Sequence, residues 1–460
     1  MIFYRAITFL KSCLFGTTFF CCCFRLFALF IISFLAWNYF GLLSVVSLIL
    51  IYHAILLVDY KNYLFFILGV FINMVTFHFA TLFWVLQIDA LQGFSILLFH
   101  SIYYTIPLCL LYWFRNLNLI RIYVFSLIWL LIEISRNFGE LSFPWNILGN
   151  ALGVNNSLVQ WYSFTGVYGG SIFVLIIFMV FNCGVYGFKN NLTRKFVTLF
   201  VVSITLYSLG TYYLKSDFTN NQLKIIAVNS TKAGNYNKFK DIFYKLETIN
   251  ERIDFVISPE LEFKNLPLNY NDSQPYSYFT ENFFMKQNNS LILFGNEFYG
   301  ESLKFNATLI TSQDKSYFKV KEKNVPVTEN VPVFLRWIID DGYTNVTAST
   351  RVPQSFVTPI MCYEVIHSNV VAANSVSENL IIVQTSEYFM NNSYFGQLQY
   401  DNIIKLRAIE NKKTVVKISN GGNSYLTSLK GKLLYNINFF EVINVPIHLN
   451  EQSTYSSYFD

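Results

Sequence analysis

The chain has 460 residues, of which 53% are hydrophobic, 19% aromatic and only 13% charged, with a formal net charge of +5. So little charge at this length excludes an ordinary soluble enzyme and points to membrane spans. The basic residues are diffuse, with no basic stripe interleaved with aromatics, which argues against a nucleic-acid partner.

Phe, Leu, Ile and Val dominate from Met1 to Leu214, and most Lys, Asp and Glu lie beyond Lys215. A membrane half (1–215) and a water-soluble half (216–460) follow, the second long enough for one large domain. Runs apolar enough to span are predicted at 17–37, 42–59, 63–86, 92–113, 120–135, 160–187 and 196–214. A cleaved signal peptide is a poor reading of the first run, because spans continue without pause after it. Six of the seven cysteines fall here, including the run "FFCCCF". That run has no spaced second pair of ligands nearby, so no metal site is expected, and no cofactor. Arg5, Lys11 and Arg25 precede or open the first run; Lys61, then Arg115 and Arg121, then Lys189, Arg194 and Lys195 fall in alternate connections. The positive-inside rule puts all these clusters in the cytoplasm. Seven spans then deliver residue 215 onward to the far side, so the second half is expected to be extracytoplasmic.

Six short β-rich runs mark the second half: 223–230, 253–260, 290–297, 356–364, 379–387 and 414–419. Between the last two, "QLQYDNIIKLRAIENKK" has the spacing of an amphipathic helix. Buried strands linked by helices predict an α/β layer architecture, with reactive groups beyond the carboxyl ends of the strands. Glu260 and Cys362 each occupy such an end. Cys362 has no partner cysteine in its half, so it is either a buried structural residue or a reactive thiol. A reactive thiol needs a proton acceptor or a neighbouring positive charge. His367, five residues on, is one candidate, although a surface or capping role suits it better. Glu260 is another, if burial raises its pKa, and a lysine of "SYFKVKEKNVPVTENVPV" could supply the charge.

These fragments resemble, in order, the apolipoprotein N-acyltransferases, whose soluble domain belongs to the nitrilase (carbon–nitrogen hydrolase) superfamily. Trp129, Glu133 and Arg136 match W-x-x-x-E-x-x-R, followed by "FPWNILG" (143–149) and "QWYSFTGVYGGS" (160–171). "SPE" corresponds to W-P-E, "FNATLI" to Y-N-[AS]-hydrophobic, "KEKNVPVTENVP" to K-x-x-L-V-P-F-G-E-x-V-P, "MCYE" to C-Y-E and "LRAIENKK" to the R-A-[IL]-E helix.

The resemblance implies a multi-pass α-helical membrane domain (1–215) and a periplasmic nitrilase-like α-β-β-α sandwich (216–460), in the bacterial inner membrane. It also implies a triad: Glu260 as general base, Lys321 stabilising thiolate and oxyanion, and Cys362 as nucleophile. Lys321 is selected from Lys319, Lys321 and Lys323 because it stands eight residues before Glu329, the family's spacing. Glu329, Tyr363, Glu364 and Phe389 take supporting places. The implied partners are a phospholipid acyl donor, a diacylglyceryl-lipoprotein acceptor and the bilayer, with the enzyme a monomer. Cys362 would take an acyl chain as a thioester, and the α-amine of the lipoprotein's diacylglyceryl-cysteine would receive it as an amide.

The chain departs from the pattern in places. Ser258 replaces the Trp before Pro-Glu, and "VPVTE", with Thr328, lacks Phe-Gly. "TSEYFM" (385–390) stands for S-N-D-x-W-F, leaving Phe389 or Tyr388 in place of Trp, and Tyr400 replaces a common His. A last span that the family carries after "TYSSYFD" is expected to be missing. Two other readings stay open: a membrane-tethered amidase or nitrilase with water as acceptor, and a non-catalytic lipid or lipoprotein binder.

Overall fold

Two kinds of architecture succeed each other along the chain, as the composition demands. The computed structural model describes residues 19–58, 62–185, 191–214, 219, 221–228, 245–246, 248–261, 263–267, 290–299, 304–313, 316–326, 329, 357–438, 440–449 and 453–459. Thr328 and the segment 331–338 lie outside them. The chain divides into two units, one of Met1–Phe138, Phe143–Thr211 and Ser393–Asn402, the other of Gly139–Ser142, Tyr212–Asn392 and Ile403–Asp460.

In the first unit each of the seven expected spans is met by an apolar helix. Six are long and apolar enough to cross a membrane, within Cys21–Asn38, Tyr63–Gln87, Ala90–Tyr112, Asn118–Ser135, Tyr162–Gly184 and Lys195–Leu214. The expected span at 42–59 forms the shorter helix Leu43–Leu56. At 1.5 Å per residue its 14 residues reach about 21 Å, less than the roughly 30 Å hydrocarbon layer. Polar side chains lock the ends. Trp84 Nε1 and Trp145 Nε1 both donate to Gln399 Oε1, at 3.1 and 2.9 Å, and Gln399 Nε2 donates to Asn38 Oδ1 and Thr81 O. Gly166, in the "QWYSFTGVYGGS" stretch, kinks its helix at φ 63°, a conformation that side chains with a Cβ avoid.

Among the described residues of the second unit there are twelve strands: β1 Gln222–Ala227, β2 Phe255–Ile257, β3 Phe263–Pro267, β4 Leu291–Tyr299, β5 Lys304–Thr311, β6 Ser316–Val320, β7 Val357–Met361, β8 Leu380–Ser386, β9 Thr414–Asn420, β10 Tyr425–Thr427, β11 Leu433–Asn436 and β12 Glu441–Pro446. One sheet runs β12-β1-β2-β4-β5-β6 with β3 also paired to β4; the other runs β11-β10-β9-β8-β7. The six runs read from the sequence are β1, β2, β4, β7, β8 and β9. Those six carry every parallel pairing except that of β3 with β4, and parallel strands are buried on both faces, which makes them continuous apolar runs.

The sheets pack face to face. Ile225, Phe255, Ile257 and Leu293 of the first meet Val357, Leu380, Ile382, Val416 and Ile418 of the second in one core. The other face of the first sheet covers a second core with Ile226, Val256, Ile292 and Phe294. Beside the second sheet, the helices Ser368–Ser375 and Tyr394–Asn411 are tied together by Ser368 Oγ donating to Glu410 Oε1 at 2.9 Å and Ser375 Oγ to Asn411 Oδ1 at 3.1 Å. The result is a mixed α/β sandwich.

Candidate active site

The site begins at an interruption in a strand. From Ile257 to Phe263 the chain advances six residues (263 − 257), while its partner β4 advances three, from Leu293 to Asn296. Pro259 cannot donate to the ladder, so the surplus is expelled from the sheet where that donor is missing. Leu261 completes the exit at φ 55°. Glu260 rides on this protrusion, buried to 2% exposure. Gly295 opposite makes room: a Cβ there would lie 2.5 Å from Pro259 O and 2.7 Å from Glu260 Cα.

The Glu260 carboxylate is fully engaged. Oε1 accepts from Lys321 Nζ at 2.8 Å and Asn306 Nδ2 at 2.6 Å, and Oε2 accepts from Ser386 N at 3.2 Å. Asn420 Nδ2 holds the Glu260 backbone carbonyl at 3.2 Å. Lys321 follows the last residue of β6, and its ammonium also donates to Glu329 Oε1 and Oε2 at 2.8 and 2.9 Å. Glu329 is held in turn by Val325 N, at 2.7 Å from Oε2. Burial works against the Lys321 charge, but the two carboxylates outweigh it and hold the ammonium well above the ordinary lysine range. Lys319, two residues earlier, is spent elsewhere: its Nζ donates to Pro359 O at 2.5 Å.

Cys362 follows β7 at φ 39°, a left-handed conformation that a non-glycine residue adopts at a cost of about 1–3 kcal/mol. Glu364 braces that turn. Its Oε2 accepts from Met361 N at 2.8 Å, and its Oε1 accepts from Glu322 N, beside Lys321. One carboxylate thus ties the thiol's turn to the lysine's. Tyr363 is buried, its hydroxyl donating to Ser142 O at 2.5 Å. Thr385 Oγ1, at the end of β8, donates to Cys362 Sγ at 3.4 Å.

The Lys321 ammonium pulls the thiol pKa down, as a neighbouring cation should, but the net shift runs the other way. Burial pushes the Cys362 thiol up, Glu260 pushes it further, and the opposing pull of Lys321 does not compensate, with Glu329 adding to the rise. Burial is the larger cause, and a count of charge adds to it. One ammonium is already shared by two carboxylates, so a thiolate would be a third anion beside it. The resting thiol is protonated and needs a base at the moment of attack.

Glu260, Lys321, Glu329 and Cys362 interact electrostatically with one another, with Tyr363 and Glu364 on the thiol's turn. Phe389 stands on the turn Glu387–Met390 and is 38% exposed. His367 is buried, not at the surface, and among the described residues neither ring nitrogen has a hydrogen-bond partner, so it does not pair with the thiol. Ser258, in the place of Trp, accepts from Gly295 N at 3.1 Å through its hydroxyl and supports the protrusion. Tyr400 is buried and stacks on Trp145 within the first unit. Gly295, Asn306, Thr385 and Ser386 carry no role in the sequence reading, although Asn306 lies inside "FNATLI" and Thr385 and Ser386 open "TSEYFM".

Residues 28–180 match the family model described as the apolipoprotein N-acyltransferase N-terminal domain. An apolipoprotein N-acyltransferase of Rickettsia typhi is 23% identical over 362 residues, covering 73% of this chain and 71% of that protein. The chain is related to the apolipoprotein N-acyltransferases. A second relative, apolipoprotein N-acyltransferase 2 of Treponema denticola, is 22% identical over 473 residues and covers 90% of this chain and 88% of its own length. Among solved structures, a CN-hydrolase superfamily protein of Xanthomonas campestris aligns with 50% of this chain and 91% of its own, at 15% identity and a TM-score of 0.36.

The kinship to apolipoprotein N-acyltransferases gives the membrane motif a physical meaning. Glu133 Oε1 accepts from Trp129 Nε1 and from Leu148 N, both at 2.9 Å, while Arg136 reaches Phe143 O at 3.4 Å and His100 Nε2 at 3.0 Å. The W-x-x-x-E-x-x-R residues therefore fasten the "FPWNILG" segment to the helix Asn118–Ser135.

Proposed function

We propose that this chain is a phospholipid-dependent apolipoprotein N-acyltransferase that works through a thioester on Cys362. The observation that carries the reading is the Glu260–Lys321–Glu329 network, its first two members buried, set beside the buried thiol of Cys362 at the carboxyl ends of the strands. Glu260 takes the Cys362 proton as sulfur attacks the donor's ester carbonyl. Lys321 offsets the oxyanion of the tetrahedral intermediate. The intermediate collapses, the glycerol oxygen leaves with the proton returned by Glu260, and a lysophospholipid departs from the thioester. The acceptor's α-amine then attacks the thioester carbonyl, Glu260 takes a proton from nitrogen, and the thiol leaves protonated with an amide formed. Two bulky lipids thereby use one site in turn.

In this reading residues 1–215 hold lipid tails and residues 216–460 carry the chemistry on the periplasmic side of the inner membrane. The alternation of basic clusters along the first half supports that side. A periplasmic-type reporter fused after Asp460 should be active, and activity of a cytoplasmic-type reporter there would reverse the orientation. Acyl transfer is separated from hydrolysis by incubating purified protein with labelled phospholipid, with and without a diacylglyceryl peptide bearing a free α-amine. The label should reach the peptide as an amide. Rapid release of free fatty acid without peptide would make the protein a hydrolase instead.

A further inference from the structure

We infer that the β10–β11 hairpin is a membrane-surface contact, resting on the lipid headgroups of the leaflet at which the helix Asn191–Leu214 ends. This concerns a surface of the protein and does not depend on the acyl-transfer reading.

β11 is the outer strand of the five-stranded sheet, and all four of its residues are exposed. Leu433 is 51%, Leu434 38% and Tyr435 42% exposed. Soluble domains shorten, charge or cover such an apolar edge, because its open backbone otherwise recruits other strands. What the hairpin is fastened to identifies the cover. Lys430 is buried, and its Nζ donates to Tyr212 O at 3.5 Å. The Lys432 ammonium lies 4.7 Å from the centroid of the Tyr212 ring. Tyr212 is grouped with the second unit and stands in the last turn of Asn191–Leu214, whose segment Lys195–Leu214 is long and apolar enough to cross a membrane.

A lysine on the final carbonyls of a helix is favoured by the helix dipole. Past Tyr212, Tyr213 and Leu214 are 67% and 87% exposed. An exposed tyrosine at the end of an apolar helix is the pattern of a membrane–water interface. Strands rise about 3.3 Å per residue, so Leu433, Leu434 and Tyr435 lie within about 10 Å of Lys432. The headgroup layer of each leaflet is roughly 5–8 Å deep, which Leu433 and Leu434, one and two residues past Lys432, do not exceed, and there water still satisfies open backbone groups. A second copy pairing with the edge is the rival occupant. The register shift between Leu426 and Thr427 argues against it, since bulges twist an edge away from pairing.

The test uses full-length protein in nanodiscs of phosphatidylethanolamine and phosphatidylglycerol. Leu433→p-benzoylphenylalanine and, separately, Leu434→p-benzoylphenylalanine are irradiated and the intact protein weighed. Each should gain the mass of one phospholipid, as should the same probe at Leu206, which is exposed on the last helix. The probe at Ser377, exposed elsewhere on the second unit, should gain none. Adducts at Leu206 with none at Leu433 or Leu434 would overturn the proposal. Cross-linked dimers at those two positions, without lipid, would assign the edge to a second copy and overturn it equally.

Discussion

Glu133 and Glu260 are both buried, at 0% and 2% exposure, and both stand in stretches that resemble motifs of the apolipoprotein N-acyltransferases, one in each unit. Their partners set them apart. Glu133 Oε1 accepts from an indole and a backbone amide, neutral donors that fix one segment to one helix. Glu260 faces an ammonium that it shares with a second carboxylate, and it pushes the pKa of a nearby thiol upward. A buried carboxylate with neutral donors is a fastener; one with a shared cation and a protonatable neighbour can move a proton. Burial alone does not distinguish them.

The contrast is broken most severely by removing the chemistry. Glu260→Gln should leave the thiol without a base and lower acyl transfer by about 10²–10⁴-fold, measured as amide formed on a diacylglyceryl peptide. Glu133→Gln should leave transfer within a few-fold of the parent. Equal losses in the two variants would mean the glutamates do not differ in kind. Next in size is the cation. Lys321→Met leaves Glu260 and Glu329 facing each other, and breaking a buried pair costs about 3–5 kcal/mol. Denaturant unfolding of the full chain in detergent would register it, and an unchanged midpoint would remove Lys321 from the network.

A third prediction concerns acid. Burial, followed by Lys323 and Arg407, lowers the His367 pKa to about 3 from its ordinary 6.5. Below pH 6.5 the unfolded chain binds a proton there that the folded chain refuses. This contribution to stability is therefore intact above pH 6.5 and is lost, at up to about 1.4 kcal/mol per pH unit, as pH falls toward 3. His367→Phe should flatten that part of the stability profile, and an unaltered slope would show that the imidazole is not held neutral. The smallest effect expected on stability is that of Glu133→Gln, which keeps an oxygen for Trp129 and Leu148 and should shift stability by no more than about 1 kcal/mol.

Much of this could be read from sequence where the signal is local. The β7, β8 and β9 runs are apolar because parallel strands are covered on both faces, and Cys362 and Glu260 stand out as polar residues at strand ends. The antiparallel strands β5 and β6 were not read as strands. "KFNATLIT" mixes polar and apolar residues because one sheet face serves the core while Asn306 serves the carboxylate. The roles of Gly295 and Ser386 are hidden for another reason: one acts by lacking a Cβ and the other through a backbone N–H. The thiol's raised pKa is not legible in the sequence, which shows neither how deeply Cys362 is buried nor more than one lysine at the right spacing. It does not show that two carboxylates share that lysine.

The central claim is that Cys362 is a resting thiol activated by Glu260 to carry an acyl group. Purified protein incubated with phospholipid alone should gain one acyl mass, mapped by peptide fragmentation to Cys362, and the Glu260→Gln variant should gain none under the same conditions. An acyl mass on any other residue, or equal acylation of the Glu260→Gln variant, would contradict the claim.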